Sequence, residues 1–427
     1  MTQTTHREDL YQRASEILRL NDRGHYTVPT SGLYPFQWNW DSCLVSLGQQ
    51  HLDEERAWTE LTTLFEHQWD DGMVPHIIFH QHDDGYFPGP DVWNTGRVVQ
   101  TTGITQPPVA GFAAARLFER AQDTALARRQ AGHLLHGIDR WHEWFYRCRD
   151  PHGTGLVALI HPWESGRDNS VDWDTALDAV STDGLEPYQR RDLQHAHADH
   201  RPTMAQYDRY ISLVQHFRSL KWDNALLHDM SPFKVVDPGF NAILIRSCTD
   251  IAKLADELGE AAIAARNRAR ADKALAALDT LWSDMLQQYV CFDRVSGKAV
   301  DSASVGGILP AFAGVPPARM DCLARRLTAL AKQVNYLVPS HDPADSRYDG
   351  KRYWRGPAWL IINYLIADGL DRAGHHELVE DIRQASLKLI DESGFAEYYD
   401  PQTGEALGGD TFTWTAAMVM EFLRSSD

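Results

Sequence analysis

The stretch Phe112–Leu135, FAAARLFERAQDTALARRQAGHLL, decides the fold. An apolar-rich helical pattern comes first, then a short charged break, then a second amphipathic helix. Apolar residues recur at three- and four-residue spacing throughout. The same plan returns in CTDIAKLADELGEAAIAARNRA from Cys248 and in INYLIADGLDRAGHHELVEDIR from Ile362. Each segment predicts an αα-hairpin, and the short breaks make its two helices antiparallel neighbours.

Further helices are predicted at about 7–20, 41–51, 54–69, 206–220, 317–333 and 413–425, roughly twelve in all. Strand signal is confined to short stretches such as Tyr289–Phe292. Repeated hairpins cannot bury their apolar faces alone. About six pairs close into a ring of inner and outer helices, so the expected fold is all-α, an (α/α)6 barrel. The alternative, an open solenoid, needs short connections at both ends. Here the segments 21–40, 70–106, 149–200, 335–356 and 393–412 are long. Long loops in a compact domain are usually functional, and all five gather over one mouth. No low-complexity linker interrupts the chain, so 1–427 reads as one domain.

The balance of 41 Lys+Arg against 59 Asp+Glu gives a net charge of −18, which argues against nucleic acid or an anionic membrane surface as partner. An anionic small substrate stays open but needs local cations. The polar start, MTQTTHREDLYQRASEI, carries no signal region, and no apolar run suffices for a membrane span. Five dispersed cysteines without a CxxC pair read as reduced thiols of a cytoplasmic protein. Homo-oligomerisation is left open.

The anomaly is aromatic: 14 Trp and 15 Tyr, many of them in the loops. The first loop ends in Tyr34-Pro35-Phe36-Gln37-Trp38-Asn39-Trp40-Asp41. The second holds Asp83-Asp84-Gly85-Tyr86-Phe87-Pro88 and then Thr101 to Pro108, including Gln106. The third holds His161-Pro162-Trp163-Glu164-Ser165-Gly166-Arg167-Asp168-Asn169-Ser170. The fourth ends in Arg352-Tyr353-Trp354-Arg355-Gly356-Pro357-Ala358-Trp359. The fifth holds Phe395-Ala396-Glu397-Tyr398-Tyr399-Asp400-Pro401 and runs to Trp414. Carboxylates and amides read hydroxyls, while indoles cover the C–H faces of a pyranose. Two carboxylates across a sugar can cleave it, one as general acid and the other as base or nucleophile.

Blander roles compete. Trp38, Trp40 and Trp359 border helices and could be core aromatics. Asp400 suits a turn. Asp168 or Ser170 could cap a helix, as could Asp41. His76, His80 and His82 beside Asp83 and Asp84 could hold a metal, as could His195, His197 and His200. With 20 histidines, however, clusters arise by chance. No phosphate-cradling loop, GxSxG elbow or Cys/His nucleophile motif occurs.

The motifs TTGITQPP, PWESGRDNS, RYWRGPAW and EYYDPQTGE with FTWTAA resemble glycoside hydrolase family 63, in particular its small bacterial mannosylglycerate and glucosylglycerate hydrolases. The resemblance spans nearly the whole chain. It implies an inverting, exo-acting α-glycosidase without metal or organic cofactor. Asp168 falls on the family's general acid and Glu397 on its general base. Trp40, Asp41, Gln106, Trp354 and Trp359 fall on its glycone pocket, and Trp163 comes with the acid loop. Tyr34, Tyr86, Arg201 and Tyr207 match its aglycone-holding residues. The pattern departs at Gly408–Phe412. Asp410 or Thr411 stands where the family carries a longer polar side chain, which bears on the substrate rather than the chemistry. The implied substrate is glucosylglycerate or mannosylglycerate. A neutral α-glucoside is the alternative within the class, and a sugar epimerase on the same barrel lies outside it.

Overall fold

Helices that bury nearly every side chain alternate along the chain with helices that bury one stripe. The structure, a computed structural model, describes residues 3–83, 85–190 and 198–424. Twelve ring helices follow in order: α1 (Gln3–Asn21), α2 (Asn39–Gln50), α3 (Glu54–Glu66), α4 (Ala110–Glu119), α5 (Thr124–Cys148), α6 (Pro238–Leu258), α7 (Ala261–Leu278), α8 (Pro310–Ala313), α9 (Pro317–Leu330), α10 (Leu360–Arg372), α11 (His376–Ser393) and α12 (Thr413–Arg424). In α2 and in α12, eleven of twelve residues are buried; in α7, six of eighteen are. A helix apolar all round belongs inside, and one with a single stripe belongs outside. The packing agrees. α2 meets α4, α4 meets α6, α6 meets α8, α8 meets α10, α10 meets α12, and α12 returns to α2. The even helices form a closed inner ring and the odd ones its outer layer, which is the expected (α/α)6 barrel.

All three predicted hairpins are present, as α4–α5, α6–α7 and α10–α11. One ring member differs from expectation. The helix predicted at 206–220 exists as Met204–Ser219, but it lies outside the ring, packed on the short helices Pro90–Trp93 and Asp174–Asp178. Its place is taken by α8, which is four residues long. An amphipathic pattern shows that a face is buried but not which partner buries it, and one turn is too short to show a period.

The connections from even to odd helices are short. Those from odd to even span 22–38, 67–109, 149–237, 279–309, 331–359 and 394–412. They include the five predicted loops and one more, 279–309. Because the hairpins are antiparallel, every long connection delivers its last residues to the N-terminal ends of the inner helices. Those ends carry partial positive charge, which favours a negative group in an otherwise acidic protein. Toward the opposite ends, Arg116, Arg246 and Arg372 converge on Asp368, and the Arg246 guanidinium lies over Phe112 and Phe312.

Four helices meet at His142 on α5. The Gly111 N–H of α4 donates to Ser247 Oγ of α6 (3.1 Å), and, because Asn267 Oδ1 can only accept from the other ring nitrogen, the serine donates its own proton to His142 Nε2 (2.8 Å). His142 Nδ1 then donates to Asn267 Oδ1 of α7 (2.7 Å). Burial holds this imidazole neutral, its pKa lowered to about 4. No helix of the described residues is long and apolar enough to cross a membrane.

Candidate functional site

A cavity at the N-terminal ends of the inner helices holds about 1030 Å³ of space, its open mouth included. Asp168, Glu397, Tyr34, Trp40, Asp41, Tyr86, Gln106, Trp163, Arg201 and Tyr207 all line it.

The α2 corner is built first. Gln37 and Trp38 pair antiparallel with Ile78 and Ile77, so the chain enters α2 extended. Trp38 occupies the N-cap without a side-chain cap, and Gln106 Oε1 accepts from the Trp40 N–H (3.2 Å), satisfying one orphan donor of the first turn. Asp41 lies within that turn rather than capping it. Burial raises its carboxyl well above the ordinary range, opposed by a backbone hydrogen bond and reinforced by Glu397, Asp168 and Glu60.

The loop carrying Asp168 is held from both sides. It follows the 3₁₀ turn Pro162–Ser165 and Gly166, whose φ is +67°; a Cβ there would lie 2.7 Å from the Trp40 ring. The next side chain, Arg167, points inward and pairs with Asp172 (2.7 Å) and Asp237 (2.9 Å), the latter being the N-cap of α6. Asn169 Oδ1 accepts from the Trp354 N–H (2.9 Å), and the Tyr210 hydroxyl donates to the Asp168 carbonyl (2.8 Å). Ser170, not Asp168, caps the following 3₁₀ helix. The Asp168 side chain is half-buried at the cavity wall.

Glu397 is only 1% exposed. Its Oε1 accepts from the hydroxyls of Tyr34 and Tyr353, each at 3.1 Å. Its Oε2 accepts from the Gly409 N–H (3.2 Å) and lies 3.9 Å from Arg201 Nη1. Gly408 has φ +76°, and a Cβ there would come within 2.3 Å of Oε2, so the strand can pass only as glycine. Burial raises the carboxyl above its ordinary value; Arg201, the Gly409 N–H and the two tyrosines pull the other way. Asp400 forms a turn, its Oδ1 accepting from the Gln402 N–H (2.8 Å).

Arg201 is 6% exposed. It donates through Nη2 to the Tyr34 hydroxyl (2.8 Å) and lies 4.4 Å from the centre of the Tyr353 ring. Tyr86 packs edge-on to Phe36 and Trp38, and the Tyr207 hydroxyl donates to the Phe87 carbonyl (3.3 Å). Trp163 is seated on His161, whose Nδ1 accepts from the Trp163 N–H (3.0 Å) and whose Nε2 donates to the Tyr210 carbonyl (3.0 Å).

Trp354 and Trp359 are absent from the wall. They stack on each other behind it, with Trp354 beside Trp40 and Trp359 against Tyr398 and Trp414. Neither Asp410 nor Thr411 lines the cavity; Phe412 does. The wall also holds Tyr353 and Trp414, which sequence reading quoted only as members of their loops, and His76, which it considered only as a metal ligand. Tyr353 stood inside the quoted RYWRGPAW motif, hidden between more conspicuous neighbours. His76 has a buried Nδ1 with no hydrogen-bond partner among the described residues, and burial lowers its pKa to about 3, so it faces the cavity neutral.

The histidines considered as ligands do not converge. His80 turns to Gln37 (2.7 Å), His82 is exposed, and His195 and His197 lie outside the described residues, as does Asp84. A different set, His152, His228 and Asp229, places donor atoms within 4.8 Å of one another, but none of the three lines the cavity.

Two carboxylates, an amide and an aromatic wall at the mouth of an (α/α)6 barrel define a glycoside hydrolase. The chain belongs to the mannosylglycerate hydrolase MGH1-like glycoside hydrolases of family 63, whose family model matches residues 34–415. It is 46% identical over 422 residues to mannosylglycerate hydrolase MGH1 of Selaginella moellendorffii, covering 98% of this chain and 86% of that protein. It is 34% identical over 450 residues to the glucosylglycerate hydrolase of Mycolicibacterium hassiacum, covering 97% of each. The crystal structure of the family 63 mannosylglycerate hydrolase from Thermus thermophilus, in complex with Tris and D-glycerate, superposes with a TM-score of 0.94. That match has 42% identity and covers 97% of this chain and 100% of that one.

Proposed function

We propose that the protein hydrolyses an α-linked hexosyl glycerate, glucosylglycerate or mannosylglycerate, to free hexose and glycerate with inversion at the anomeric carbon. Asp168 protonates the glycosidic oxygen. Glu397 removes a proton from a water that attacks the opposite face of the ring. Trp40, Asp41, Gln106 and Trp163 hold the hexose, with Trp354 and Trp359 buttressing them from behind. Tyr34, Tyr86, Arg201 and Tyr207 hold the aglycone. In this reading the chain works as one domain in the cytoplasm, where its five free cysteines stay reduced, and needs no nucleic acid or membrane.

The observation that carries the acidic aglycone is Arg201, a buried guanidinium on the cavity wall of a protein with net charge −18. A neutral glucoside offers that cation no counter-charge. An epimerase would use paired imidazoles, whereas His76 is the one histidine on the wall among the described residues.

The test is a panel of α-glucosides and α-mannosides, with and without a carboxylate on the aglycone, followed by NMR of the products. Release of hexose and glycerate, with the β-anomer formed first, is expected. An α-anomer at early times overturns inversion, and turnover of neutral glycosides alone overturns the acidic aglycone.

A further inference from the structure

Arg201 and Glu397 share a partner before any substrate arrives. The Arg201 Nη2 donates to the Tyr34 hydroxyl (2.8 Å), and that hydroxyl donates to Glu397 Oε1 (3.1 Å). A second guanidinium nitrogen, Nη1, stands 3.9 Å from Oε2. The cation at the aglycone end of the cavity is thus also the cation that opposes the effect of burial on the Glu397 carboxyl.

We propose that the carboxylate of the aglycone takes Arg201 and the Tyr34 hydroxyl away from Glu397, so that binding an acidic aglycone makes Glu397 a stronger base. The proposal rests on the reading of an acidic aglycone with Glu397 as base. Its physical content is competition for one cation. Before the aglycone arrives, Arg201 stabilises the Glu397 carboxylate and makes it a weaker proton acceptor than burial alone would. A second carboxylate neutralises the guanidinium and adds a negative charge beside Oε2, and both changes favour the protonated form. The charge therefore contributes to catalysis as well as to affinity, and a neutral aglycone of the same shape lacks that contribution.

Among the described residues, the other titratable groups facing Glu397 are carboxyls and tyrosines. Asp41 and Asp168 lie on the cavity wall, Tyr353 donates to Oε1, and Tyr398 packs behind Tyr353; the Gly409 N–H donates to Oε2. Arg201 is the cation in this set.

A shift in the base upon binding must be balanced by a proton taken from solvent. Isothermal titration calorimetry of D-glycerate into the full chain, in pairs of buffers of different ionisation enthalpy, measures that proton directly. A cation at this range lowers a carboxylate by ~1–3 units, so its neutralisation by about one unit gives uptake of about half a proton at the midpoint. Glycerol at the same concentration should give none. Glu397→Gln should bind D-glycerate without uptake. Uptake that persists in Glu397→Gln assigns the proton elsewhere and overturns the proposal. D-Glycerate binding to the wild type without uptake overturns the coupling but leaves the substrate reading standing. Failure of D-glycerate to bind overturns both.

Discussion

Trp354 and Trp359 lie face to face, their ring centres 3.8 Å apart and their planes within 3°. Both are 1% exposed. The pair is the rigid backing of the site: Trp354 leans on Trp40, its backbone N–H is fixed by Asn169 in the Asp168 loop, and Trp359 is the N-cap residue of α10. Trp354→Ala leaves a large void, and such truncations cost ~3–5 kcal/mol. The loss should appear in denaturant unfolding. Turnover should fall as well, because Trp40 and the Asp168 loop lose their common support, while Trp354→Phe keeps most of both.

Asp168→Asn and Glu397→Gln should each lower turnover by ~10²–10⁴-fold with unchanged circular dichroism, since both replacements are nearly isosteric. The two should part company on aryl glycosides with acidic leaving groups. Protonation of the oxygen matters less there, so Asp168→Asn should recover relative to the wild type and Glu397→Gln should not. Equal loss on natural and activated substrates removes Asp168 from the acid role.

Arg201→Ala should discriminate by charge. A charge-assisted hydrogen bond is worth ~1.5–3 kcal/mol, so kcat/KM for a hexosyl glycerate should fall by roughly 10- to 150-fold. A neutral glycoside such as glucosylglycerol should change by only a few-fold. Equal losses mean that Arg201 shapes the wall instead of reading charge.

Acid should destabilise the fold through its buried histidines. His76, His142 and His161 are buried, and burial lowers their pKa values to about 3, 4 and 3. Unfolded, each takes a proton near pH 6.5, so below that value the unfolded state binds more protons and stability falls with pH. Three such groups give a slope of up to about 4 kcal/mol per pH unit, running from about pH 6.5 down toward pH 4. Urea midpoints at a series of pH values measure it. His142→Gln, which keeps a polar group between Ser247 and Asn267, should lower stability at pH 7 yet flatten the slope. An unchanged slope shows that His142 is not one of the groups responsible.

Much of this architecture is legible in the sequence because hairpins are local. The breaks at Gly259 and Gly374 lie between helices whose periods are clear, and each hairpin closes on itself. What was not legible is non-local. Nothing in Pro310–Ala313 shows that one turn completes the inner ring, and nothing in Met204–Ser219 shows that its apolar face meets the connections instead of the barrel. The cavity residues divide the same way. Carboxylates and indoles in the loops announce themselves by composition. Tyr353 and His76 reach the wall through tertiary packing, and Trp354 and Trp359, in the most conspicuous motif of all, end up behind it.

The ring closes where the Thr413 N–H donates to the Pro29 carbonyl (2.9 Å) and α12 packs between α1 and α2. On the ribosome that contact is a matter of timing. At ~5–20 residues per second, roughly 10–30 s separate the synthesis of the α6 C-terminus from that of α12. Throughout that interval the inner faces of α2, α4 and α6 have no ring to close against, and Glu397 arrives only just ahead of the closing helix. Long-range contacts of this kind fold late and leave apolar surface exposed meanwhile. The nascent chain thus carries exposed apolar surface through most of its synthesis, and it completes its cavity and adds Glu397 in nearly the same step.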